Sequence, residues 1–203
     1  NLSGAPAAET AAVGVPSAVA SSDAKDVIAS VADPDSFLEL SASFGQAAVT
    51  GLAQISGASV GLVAYTGEID ADACAKAARF VRFCDAFSLP VVSFVNATEF
   101  SSLREAVKLS NAYAETTAAK ITVITGEAYG PVYIAVAGRG ANADYTMAWA
   151  DAVVSPIAPA AAALFLHNGD LKGAEKPVEA RQALIEEYKK TEATPLAAAA
   201  QGY

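Results

Sequence analysis

Residues 69–95 read IDADACAKAARFVRFCDAFSLPVVSFV, and this stretch decides the fold class. Over 69–87, Asp72, Lys76, Arg79 and Arg82 recur at spacings of four and three and share one face. Ala73, Ala77, Phe80, Val81, Cys84 and Phe87 line the other, which predicts an amphipathic helix. Asp72 and Lys76 form an i,i+4 pair of favourable orientation. Pro90 then restricts Leu89 to an extended backbone, and VVSFV at 91–95 reads as a buried strand. Cys74 and Cys84 both fall in this helix as small core residues, with neither metal spacing nor a disulfide framework around them.

Outward from this unit the pattern repeats. Asp23 caps a short helix through about Ala32, which Pro34 ends, and SFLEL at 36–40 reads as a strand. AVTGLAQISGASVGLVAY at 48–65 is predicted to be a hairpin turning at Ser56-Gly57. Downstream, a helix over about 100–118 holds Leu103, Val107, Leu109 and Ala112, and KITVIT at 120–125 is a strand. Crossovers of this length join parallel strands, so the class is α/β. An apolar helix at 131–137, a strand around Thr146–Trp149, a short strand at Val153–Val154 and a helix at about 159–167 follow. HNGDLKGAEKP reads as a polar loop, Val178 to Lys190 as an amphipathic helix, and ATPLAAAAQGY as the start of one more. Residues 1–22, rich in Ala, Ser, Gly and Pro, read as a flexible linker or tether, which leaves 23–203 as one domain.

Bulk properties exclude several functions. A chain of 203 residues that is 53% hydrophobic and 17% charged buries a real core. Its net charge of −9 argues against a nucleic-acid surface. The longest apolar run, Ile157 to Leu166, is too short to span a bilayer and contains Pro159, so no direct membrane insertion is expected. Residues 1–22 lack a basic start followed by an apolar block, and a cytoplasmic location is the expectation. The single histidine, His167, sits at a helix end before a turn, and without Gly-x-Ser-x-Gly it makes no hydrolase triad. GRGANA at 138–143 matches a loose dinucleotide pattern, yet the position twenty past Gly138 is Ala158 rather than an acid. Lys76, Arg79 and Arg82 form a basic stripe, either a solvated face with ion pairs or a surface for a subunit or acidic ligand.

GEAYGPVY, at 126–133, carries the site reading. A buried strand, a glycine and an apolar helix are how a fold aims a helix N-terminus at an oxyanion. Equally, Gly130 relieves a tight turn and Pro131 takes the first helical position, where a missing N–H is harmless. Residue chemistry alone leaves both readings open.

Several stretches together resemble the C-terminal half of biotin-dependent carboxyltransferases, the subunits of acyl-CoA carboxylases and related decarboxylases. KAARFVRFCDAFSLPVVSFV at 76–95 is the most specific, joined by DVIASVADPDSFLEL at 26–40, TGLAQISGASVGLVA at 50–64, AKITVITGEAYG at 119–130 and ANADYTMAWADA at 141–152. The resemblance implies a crotonase-like fold in which ββα turns wind into a superhelix. It also implies biotin, carried on a separate carrier domain, as cofactor and a CoA thioester as substrate. Implied partners are an acyl-CoA-binding N-terminal carboxyltransferase domain or subunit and a biotin carboxyl carrier protein, in a homo- or hetero-oligomer. The family pattern A-Y-G-G-A-Y falls on Ala128–Tyr133, so its biotin-polarising N–H donors map to Pro131 and Val132, with Gly130 and Tyr129 beside them. Asn96, where the strand at 91–95 ends, is the further cofactor-binding position. Two departures stand out: NATEF replaces the family's P-G-F-x-P-G loop, and Ala152–Ala158 replaces A-E-I-x-x-M-G. The expected function is carboxyl transfer with this chain as the biotin-side half, inactive alone. The alternative is a non-catalytic assembly subunit that keeps the fold.

Overall fold

The computed structural model describes residues 23–173 and 176–203. The expected linker at 1–22 lies outside them. Among the described residues, eight helices and seven strands follow one another as α1 (Ala24–Val31), β1 (Leu38–Leu40), β2 (Ala48–Ile55), β3 (Ala58–Ile69), α2 (Ala71–Ala86), β4 (Val91–Phe100), α3 (Leu103–Glu115) and β5 (Lys120–Tyr129). Then come α4 (Pro131–Ala135), β6 (Tyr145–Ala148), β7 (Val153–Ser155), α5 (Pro159–Leu166), α6 (Asn168–Lys172), α7 (Pro177–Thr191) and α8 (Pro195–Ala200).

One sheet runs β1-β2-β3-β4-β5-β6, and β7 pairs with the far end of β5. The β1–β2 and β2–β3 pairs are antiparallel, while the β3–β4, β4–β5, β5–β6 and β5–β7 pairs are parallel. The hairpin turns at Ser56 and Gly57, both at positive φ (51° and 76°), which matches the strands' twist. Asp33, buried beneath the turn, accepts both of its N–H groups, from Ser56 at 2.9 Å and Gly57 at 2.7 Å.

One face of the sheet packs against α2, α3 and α4, and the other against α1. The α2 N-terminus forms because Asp70 accepts from the Ala73 N–H at 2.6 Å and Asp72 follows in the first turn. Its apolar side reaches the sheet closely, since a Cβ at Gly61 would stand 2.4 Å from Cys84 Sγ. Under α2 and α3 lies a buried hydroxyl chain: Tyr113 Oη is 2.9 Å from Tyr65 Oη and 2.7 Å from Ser93 Oγ. Burial pushes the Tyr113 hydroxyl up to about 12 and Tyr65 well above its ordinary value.

Several sequence expectations change. Lys76 is not on the solvated stripe: it is 6% exposed and forms no ion pair with Asp72. Phe87 is exposed, because it caps α2 beyond the last turn that meets the sheet. Asn96-Ala97-Thr98 does not leave the sheet, since β4 runs on to Phe100, and GEAY likewise belongs to β5. Within HNGDLKGAEKP, Asn168–Lys172 forms the short helix α6. GRGA at Gly138–Ala141 forms a 3-10 turn after α4, not the strand–helix junction a dinucleotide motif needs.

Candidate functional site

The C-terminal ends of parallel strands are where α/β folds gather their ligands. Here β4 and β5 diverge in a built irregularity. Val95 pairs with Ile124, but Ala97 pairs with Ala128, so β5 carries two extra residues. Asn96 fastens that break. Its Oδ1 accepts the Glu127 N–H at 3.0 Å, and a Cβ at Gly126 would overlap Oδ1 at 2.2 Å. Asn96 therefore spends its carboxamide oxygen on the neighbouring strand.

Beyond the break, β5 exchanges β6 for β7, with Glu127, Ala128 and Tyr129 aligned to Val153, Val154 and Ser155. Gly130 then turns the chain into α4 at φ +59° and ψ −133°, and its N–H donates to Ser155 O at 3.2 Å. That backbone favours glycine. A Cβ there meets nothing within 4 Å, so the outer side of the turn is open. Pro131 occupies the first helical position, and Val132 is fully buried at the second. Pro131 has no N–H; those of Val132 and Tyr133 precede the first intrahelical acceptor, Gly130 O, which takes the Ile134 N–H at 3.3 Å.

Side chains around the turn come from distant sequence. Tyr129 donates to Glu127 Oε2 at 3.4 Å, and Glu127 Oε1 pairs with Lys189 Nζ of α7 at 3.0 Å. Burial, then the Glu127 charge, raises the Tyr129 hydroxyl above its usual range. Ser155 Oγ lies 3.0 Å from Tyr188 Oη, and the Val154 N–H donates to Ala193 O. Tyr133 meets Tyr203 at a tilt of 56°, with centroids 5.6 Å apart, beside an apolar cavity of about 230 Å³ that Met147 and Leu196 also line.

Tyr129, Gly130, Pro131 and Val132 thus share one turn, and Asn96 sits one strand away, at the break that precedes it. Sequence reading missed Glu127, Ser155, Tyr188 and Lys189. Glu127 carried one signal, its i,i+2 place on the face of Tyr129; the others had none. Among the described residues, no group of His, Cys, Asp and Glu is arranged for a metal ion, and no helix is long and apolar enough to cross a membrane.

A mixed sheet with β5 turning through Gly130 into α4 defines the crotonase-like class, and comparisons with known proteins narrow it. The family described as the carboxyl transferase domain matches residues 5–203. The chain belongs to that family. It is 40% identical over 199 residues to the propionyl-CoA carboxylase beta chain of Saccharopolyspora erythraea, covering 89% of this chain and 36% of that protein. It is 37% identical over 194 residues to the methylmalonyl-CoA carboxyltransferase 12S subunit of Propionibacterium freudenreichii subsp. shermanii, covering 89% of this chain and 37% of the subunit. A transcarboxylase 12S crystal structure, described as a hexamer with methylmalonyl-coenzyme A and methylmalonic acid bound, superposes with a TM-score of 0.80 at 36% identity, over 89% of this chain and 37% of that one. The chain therefore spans under two fifths of the length of these relatives.

Proposed function

We propose that this chain supplies the biotin-side half of a carboxyl-transfer site. The observation that carries this reading is the Gly130 turn, with an open outer side and the Val132 N–H at the second helical position. The fit to biotin is with one donor of the family's pair. Val132 N–H would donate to the ureido oxygen; Pro131 holds φ for the helix and donates nothing. Gly130 leaves the approach clear, and Tyr129, held by Glu127, forms the wall beside it. Carboxybiotin, brought by a carrier protein, would supply the carboxyl group and leave as biotin. A CoA thioester would be held by an acyl-CoA-binding carboxyltransferase half on a partner domain or subunit, so this chain alone is expected to be inactive.

Pro131 also supports a second reading, an assembly subunit that keeps the fold without catalysis. One experiment separates the two: combine the chain with a cognate acyl-CoA-binding half and follow biotin-dependent decarboxylation of malonyl- or methylmalonyl-CoA. Under the first reading the wild type turns over, and Pro131→Gly raises kcat by about 10²-fold, the usual worth of one such donor. Turnover only in Pro131→Gly sinks the first reading in favour of the second. No turnover in either protein overturns the assignment of the turn.

A further inference from the structure

Helix α8 is apolar along its whole length, Pro195–Ala200, yet none of its residues is buried, and Leu196 is 82% exposed. A helix that is apolar on every side ordinarily packs into a core. Between α8 and the sheet lies the apolar cavity of about 230 Å³. Its floor is made of buried core residues, Ile124 of β5, Ala137 after α4 and Val154 of β7. Its rim is exposed at Met147, Leu196 and Tyr203.

The walls define what could fill this space. Among the described residues no charged side chain lines it, so a charged ligand would lose hydration with nothing to replace it. The polar side chains in the walls, Thr146, Tyr133 and Tyr203, carry hydroxyls. Burial, and then Tyr203, raises the Tyr133 hydroxyl to about 12, so Tyr133 stays uncharged near neutral pH. A dry apolar cavity of about 150 Å³ admits benzene, and the larger space here holds one ring with a substituent. Tyr133 and Tyr203, tilted by 56°, offer ring faces and edges to a third ring. The Met147 thioether is a further partner suited to an aromatic ring.

We propose that this cavity binds a small neutral aromatic molecule, one ring with a hydroxyl or similar polar substituent, between the sheet and α8. The ligand supplies the packing surface that α8 lacks, so binding also steadies α8. The cavity reaches α4 at Tyr133 and Ala137, whereas the Gly130 turn opens on its outer side. The inference does not depend on the carboxyl-transfer reading.

Phenol is the probe, titrated into the isotope-labelled full chain by NMR near neutral pH, where phenol is uncharged. Saturable shifts centred on Tyr133, Met147 and Leu196 are expected, at roughly millimolar phenol or below. Amide exchange in α8 should slow as the shifts saturate, a readout that needs no variant to fold. Ala199→Phe fills the cavity from an exposed position and should weaken phenol binding roughly tenfold or more. Shifts that never saturate or that centre elsewhere, unchanged exchange in α8, or undiminished affinity in Ala199→Phe would each overturn the proposal. Cyclohexanol binding as tightly as phenol would overturn the restriction to aromatics, and benzoate binding as tightly would overturn the restriction to neutral ligands. Shifts at Leu196 and Tyr203 that grow with protein concentration, without phenol, would assign the cavity to a second copy of the chain and overturn the proposal.

Discussion

Helices α2 and α7 have similar lengths, 16 and 15 residues, and both look amphipathic in sequence, but they are held in opposite ways. Ala73, Ala77, Phe80, Val81 and Cys84 of α2 are buried against the sheet. None of the α7 residues is buried. Its end is tied by Lys189 to Glu127, by Tyr188 to Ser155, and through Ala193 O to Val154, all around the Gly130 turn. Apolar burial makes α2 a structural wall. Polar ties make α7 a brace on the turn, and such ties are weak and local.

The largest effect should come from the α2 side. Phe80→Ala removes a ring packed over Gly61 and beside Phe83, and a loss of about 3–5 kcal/mol is expected in denaturant titration. A loss under ~1 kcal/mol would mean α2 is not the wall described.

Next comes alkaline pH, which probes the hydroxyl chain beneath α2 and α3. Tyr113 is raised from 10.0 to about 12 in the folded state, and Tyr65 is raised too. A raised pKa favours the protonated form, so this contribution is complete below pH 10 and lost as pH climbs through about 12. The denaturation midpoint should hold to pH 10 and fall beyond it, more steeply in wild type than in Tyr113→Phe. Equal slopes would remove the tyrosines from the comparison.

Lys189→Met should have the smallest effect, within about 1 kcal/mol, since the pair with Glu127 is partly exposed. Hydrogen exchange should nevertheless quicken in α7 and residues 127–130 alone, and added salt should mimic the change in wild type. Faster exchange spread through α2 would erase the distinction between wall and brace.

Much of the wall was legible in the sequence. Apolar spacing at 69–87, the Asp23 cap, the Ser56-Gly57 turn and Pro90 are local signals, and each appears within a few residues of its expected place. Lys76 and Phe87 were assigned to the wrong faces, because a helical period records direction around an axis, not where the packed surface stops. Asn96 was picked as a strand-exit residue, but β4 continues, and its side chain bridges to β5 through a register break that periodicity does not reveal. The turn at Gly130 was found from its glycine and proline. Its surroundings were not, because Glu127 and Lys189 stand 62 residues apart.

What the sequence determined by itself is the order of strands and helices, their caps, the α/β class and a Gly-Pro entry into α4. These depend on backbone preference and nearest neighbours, which are written locally. The tertiary structure alone decided that Asn96 staples β4 to β5, that α7 braces the Gly130 turn, and that Lys76 is buried. Each depends on side chains meeting across long loops, and burial there is settled by how the layers close over the sheet.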